Sequence, residues 1–191
     1  LRLWVDSRDV LKAVAELPTM ANLVSLAVCG GVVPTTTAVR KFAASKSFPR
    51  LARLEIVNTR FTAEHFEMLA RAEWPLRHLK LTRLAVRKAG AEALARAAFA
   101  DTLRVLELPE CEITAGGVQA LAAAPALAGL RHLDLNNNSV GPGGLLALTR
   151  SKTLRGLRRL SLAYGNSGKA ALDTQALFNF LFQIGTYLLK K

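Results

Sequence analysis

Leucines recur along most of the chain in the spacing L-x-x-L-x-L, with polar residues returning in phase between them. The copies are Leu23/Leu26/Val28, Leu51/Leu54/Ile56, Leu76/Leu79/Leu81, Leu103/Leu106/Leu108, Leu130/Leu133/Leu135 and Leu157/Leu160/Leu162. Their first leucines stand 28, 25, 27, 27 and 27 residues apart. Leu1 and Leu3 fall where the second and third apolar positions of an earlier copy belong, so the chain is expected to start inside a repeat. Alternation over the fourth and sixth places of the motif has the two-residue period of a strand with one face inward. After each strand the apolar spacing shifts to three and four, as at Val118, Leu121 and Ala122 or at Leu145 and Leu148, which predicts an amphipathic helix. Thr62, Thr114 and Pro142 stand where helices start, and Pro75, Pro125 and Gly156 stand in the turns back to the next strand.

One such coil cannot bury its leucine row, whereas stacked coils make a continuous core. The expected fold is therefore an α/β, right-handed solenoid with a concave parallel sheet and convex helices. Residues 1–170 would form about six and a half repeats, the first truncated, and residues 171–191 a C-terminal helical cap or tail. The tail carries Phe178, Phe180, Phe182 and Tyr187 without another copy of the motif, as expected of a segment that covers the last coil. A membrane-surface or partner-binding helix is the alternative. Its apolar stretch from Ala176 to Leu189 is interrupted by Asn179, Gln183, Gly185 and Thr186 and falls short of the roughly 20 residues a membrane span needs.

The segment Leu103 to Thr114, continuing through Gly117 and Leu121, resembles ribonuclease-inhibitor-type leucine-rich repeats, whose pattern is L-x-x-L-x-L-x-x-[NC]-x-[LI]-[ST]-x-x-G-x-x-x-L. Cys111 and Asn138 match its Asn/Cys position, Ile113 and Val140 the next apolar one, and Gly90, Gly117 and Gly144 its glycine. The resemblance implies a horseshoe solenoid that serves as a protein-interaction scaffold. Gly31, Thr59, Leu84 and Gly165 stand at the Asn/Cys position elsewhere, so side-chain ties between coils are expected to be patchy.

With the fourth and sixth positions inward, the intervening ones project from the sheet. They offer Arg53, Glu55, His78, Lys80, Arg83, Glu107, Glu110, His132, Asp134, Asn136 and Tyr164 as partner-binding candidates. The basic group Arg53, His78, Lys80 and Arg83 precedes the acidic group Glu107, Glu110 and Asp134, a pattern that suits a partner of mixed charge; internal charge pairing, such as Arg53 with Glu55, is the plainer reading. Arg77, Arg104, Arg131 and Arg158 recur every 27 residues and form one expected row along a rim. That row would either cover the edge of the core with its stems or hold carboxylates or phosphates.

The composition allows both kinds of partner. With 51% apolar residues the chain can build a core, and 26 Lys+Arg against 14 Asp+Glu leave a net charge of +12. Binding of another protein on the sheet face leads; weak binding of nucleic acid or an anionic lipid surface is the alternative. Aromatic residues are only 6% and none interleaves with the basic strand positions as a single-strand stacking platform requires. No catalytic residue, metal site, cofactor or small-molecule substrate is expected, because the face of a short solenoid is open. His78 and His132 stand two strands apart, about 9.6 Å, too far for one metal ion. His132 with Asp134 and Glu107 is the best acid/base trio, and its plainer reading is a solvated cluster. Cys111 reads as a small core residue, Cys29 as a more accessible one, and His65 as a packing substitution at the glycine position. Two cysteines without a framework, and no visible secretory signal, point to a cytoplasmic setting.

Overall fold

The computed structural model describes residues 1–4 and 7–162. Strands β1 (Arg2–Trp4), β2 (Ser25–Cys29), β3 (Arg53–Val57), β4 (His78–Thr82), β5 (Val105–Glu107), β6 (His132–Asp134) and β7 (Arg159–Ser161) lie side by side in chain order, all parallel. Between consecutive strands run α1 (Val10–Ala15), α2 (Thr36–Ala44), α3 (Ala63–Leu69), α4 (Arg87–Ala95), α5 (Ala115–Ala123) and α6 (Gly141–Arg150). This is an α/β leucine-rich repeat solenoid. Packed helices need 8–10 Å where strands need about 4.8 Å, so the sheet bends inward and the helices take the outer curve.

The leucines set the register. Leu26, Leu54, Leu79, Leu106, Leu133 and Leu160 pair in succession across the sheet, and Leu3 pairs with Val28 as its phase predicts. Leu51, Leu54, Leu76, Leu79, Leu103, Leu106, Leu130 and Leu133 are completely buried. In the earlier coils aromatic rings fill the space behind them: Phe42 stands edge-on to Phe48 and Trp74, with centroids 5.5 and 4.9 Å away.

The recurring glycines let neighbouring helices approach. A Cβ on Gly90 would stand 2.8 Å from Val86 and 2.9 Å from the Phe66 ring of the preceding helix, and one on Gly144 would stand 3.2 Å from Val118 Cβ. At the matching place in α3, His65 is buried; its Nδ1 accepts a hydrogen bond from the Thr62 N–H at 3.1 Å, and its ring packs on Phe61. His65 is thus a cap as well as a packing substitution. Thr114 has the extended backbone of an N-cap, but its side chain makes no capping bond. Thr35 does cap α2 through its side chain, its Oγ1 accepting from Ala38 N at 3.1 Å.

Ties between coils are patchy, as expected. Asn138 Oδ1 accepts from the N–H groups of Cys111 and Ile113 at 3.0 and 2.9 Å, and its Nδ2 donates to the carbonyls of Leu108 and Asn136. Cys111 is completely buried, with Sγ 3.2 Å from the Leu81 carbonyl, and burial pushes its thiol up to about 12. Thr59 is buried too, but its hydroxyl has no partner among the described residues; Leu84 is apolar, and Gly31 is exposed. Cys29 corrects an expectation: it is the last residue of β2 and is 8% exposed, so it is not the accessible cysteine. Its side chain is shielded within the sheet rather than lying in the turn beyond it. Gly165 and the predicted cap over residues 171–191 lie outside the described residues.

Candidate functional site

The register builds the open face in rows. Ser25, Arg53, His78, Val105, His132 and Arg159 pair in succession, and so do Ala27, Glu55, Lys80, Glu107, Asp134 and Ser161. Alternation places both rows opposite the buried leucines, on the face that none of the described helices covers. The face continues toward the start of the chain through Trp4, in register with Cys29 and 72% exposed. The phase of Leu3 implies a side chain there, since its neighbour Trp4 must project from the opposite face of the strand.

Charges on this face pair from coil to coil. Lys80 Nζ lies 3.2 Å from Glu55, with both side chains mostly shielded, and Arg83 Nε donates to Glu110 at 3.0 Å. Just beyond the face, Arg87 meets Glu112 at 2.7 Å. His78 Nε2 is 3.5 Å from Glu107, an electrostatic contact rather than a hydrogen bond. Burial holds the His78 imidazole below its ordinary range and Arg53 presses the same way, while Glu107 pulls it up. The basic and acidic groups are therefore stitched together where they meet.

Two expected groupings do not form. Glu55 turns to Lys80 and not to Arg53, because the register sets Lys80 directly beside it at the strand spacing of about 4.8 Å, whereas Arg53 stands two residues away along the same strand, about 6.7 Å off. The trio of His132, Asp134 and Glu107 is not assembled: Glu107 leans to His78, and Asp134 Oδ1 accepts from the Asn136 N–H at 2.8 Å. Among the described residues no group of three His, Cys, Asp or Glu side chains is placed to hold a metal ion. Tyr164 lies outside the described residues.

The four arginines do form a row. Arg104 N donates to the Arg77 carbonyl at 2.9 Å, Arg131 N to Arg104 at 2.8 Å, and Arg158 N to Arg131 at 2.8 Å. They mark the rim where the strands begin, and all four are exposed. Arg104 Nη1 donates to the carbonyls of Asp101, Thr102 and Leu103, and Arg131 Nη1 to that of Gly156 at 2.8 Å. Gly129 and Gly156 leave room for these heads: a Cβ on either would collide with the guanidinium of Arg104 or Arg131 respectively. The turns with which the heads share space are 3-10 turns, Pro125–Gly129 and Leu154–Gly156. On the helical side, a groove of about 420 Å³ lies between α2 and α3, flanked by Arg40, Glu64 and Arg71 over Ala43 and Met68. Among the described residues no helix is long and apolar enough to cross a membrane.

Comparison with known families agrees with the geometry. The Leucine Rich repeat family model matches residues 101–122 and 130–148, which run from the approach to β5 through α5 and from the approach to β6 into α6. The matches fall on two of the repeats and, with the parallel sheet and its alternating helices, fit the leucine-rich repeat fold. No curated protein matches the chain.

Proposed function

We propose that this protein is a non-catalytic interaction module whose open sheet face binds another protein of mixed surface charge. Parallel sheets ordinarily have both faces covered. Here one face of the parallel sheet carries ordered, half-buried charged side chains with no element of the described chain over them. That observation supports the reading most directly: the scaffold holds many polar groups in place, so a partner finds them without a large ordering cost. Pairs such as Lys80–Glu55 and Arg83–Glu110 offer a donor and an acceptor side by side, which matches a protein surface of both signs better than a uniform polyanion. The finer subtype, ribonuclease-inhibitor-like, rests on the Cys111 and Asn138 positions. The two free, buried cysteines suit a reducing, cytoplasmic setting.

The test compares two double variants in pulldowns, after circular dichroism has shown that both fold. Lys80→Glu/Arg83→Glu alters the sheet face, and Arg40→Glu/Arg71→Glu alters the helical side. Loss of partners only with the first supports the reading; equal loss with both overturns it.

A further inference from the structure

We propose that the arginine rim, a surface separate from the sheet face, binds an acidic helix of a partner protein that carries one carboxylate per turn on one side. Among the described residues, Glu16, Glu55, Glu67, Glu73, Glu92, Glu110 and Glu112 each meet a Lys or Arg in an ion pair. Arg77, Arg104, Arg131 and Arg158 have no such partner there. Arg104 and Arg131 are held instead by backbone carbonyls, which fix the head but leave its charge uncancelled. Asp101, three residues before Arg104, engages it through its carbonyl oxygen. The charge grows toward the last described coil: residues 135–162 contain Arg150, Lys152, Arg155, Arg158 and Arg159 and no Asp or Glu.

Spacing selects the ligand. Successive arginines are joined by backbone hydrogen bonds, so their Cα atoms follow the strand repeat of about 4.8 Å and the row spans roughly 14 Å. An α-helix repeats every 5.4 Å, and its residues three or four apart lie about 5–6 Å from each other, so about ten residues of helix set one carboxylate near each arginine. Same-side residues of an extended peptide recur only every ~6.7 Å and drift out of step over four rungs. A single nucleic-acid strand would need aromatic side chains to stack on. The nearby Trp74 and Phe99 are buried.

The experiment uses the full chain and fluorescence anisotropy over a salt series. One labelled 18-residue helical peptide carries glutamates once per turn on one side, and a second has the same composition with the glutamates distributed around the helix. Arms with single-stranded poly(U) and with phosphatidylserine vesicles accompany them. The one-sided peptide should bind more tightly than the distributed one and lose affinity as salt rises. Arg77→Gln/Arg158→Gln, which removes no side-chain hydrogen bond among the described residues, should weaken it by about tenfold. Lys80→Glu/Arg83→Glu on the sheet face should leave it unchanged, so this outcome and that of the sheet-face reading are independent. Equal binding of both peptides, no binding, or tighter binding of poly(U) or vesicles that the same rim variant abolishes would overturn the proposal.

Discussion

Arg83 and Glu110 join two coils through a 3.0 Å hydrogen bond, and both have backbones in the left-handed region, at φ 57° and 56°. The same turn places Asn58 and Asn137 there, at φ 54° and 57°. There the Cβ of an L-residue crowds the following carbonyl at a cost of about 1–2 kcal/mol, which asparagine offsets through the local hydrogen bonding of its short amide. An exposed ion pair returns only ~0–1 kcal/mol. The double variant Arg83→Asn/Glu110→Asn relieves two positions and forfeits one pair, so its thermal midpoint should rise by a few degrees. A lower midpoint would show that the pair outweighs the backbone strain.

Asn138 serves two backbone N–H groups and two carbonyls of the neighbouring turns. Asn138→Ala strands partly buried donors at Cys111 and Ile113 and should cost about 2–4 kcal/mol, read from the shift of a urea unfolding curve. Asn138→Asp keeps the acceptor and should fall between the two.

Thr59 presents the opposite case, a buried hydroxyl without a partner among the described residues. Thr59→Val keeps the shape and removes the orphaned polar group, so stability should rise by about 1 kcal/mol in calorimetry. A loss of stability would mean that the hydroxyl is satisfied in solution.

His65 and His78 both titrate below the ordinary value of 6.5, His65 because burial disfavours its charged form, with Glu64 opposing. For His78, burial comes first and Arg53 and Lys80 add to it, against Glu107. Folded values below unfolded ones mean that the unfolded chain binds more protons in the window between them. This stability is complete above about pH 6.5 and declines as acid takes the pH down through that window. His65→Gln retains an acceptor at the third helical residue and should flatten the decline. Unfolding curves between pH 7.5 and 5 for the parent, His65→Gln and His78→Gln measure it, and three parallel declines would contradict the assignment.

The architecture was readable because leucine spacing is a one-dimensional signal. Leu54 and Leu79 announce their register, and Leu3 announces a strand before the first full motif. The face was readable by alternation, since Glu55 and Lys80 had to project together. Which charges meet was not: Glu107 stands in register between Lys80 and Asp134, with His78 and His132 diagonal to it, and only the lean of its rotamer brings it to His78. The left-handed backbones of Arg83 and Glu110 were also hidden, because neither residue type advertises that conformation. The clasp between Arg131 and Gly156 needed coordinates, as its two halves come from different coils.

Beside the leucine rows that both halves of the solenoid share, each half carries a fastening of its own. Around Phe42, Phe48 and Trp74 the fastening is ring against ring, whereas around Asn138 it is amide against peptide. Apolar association fades in the cold while amide bonds do not fade with it. Chilling should thus loosen the early turns of the horseshoe before the later ones, leaving a molecule that softens from one end.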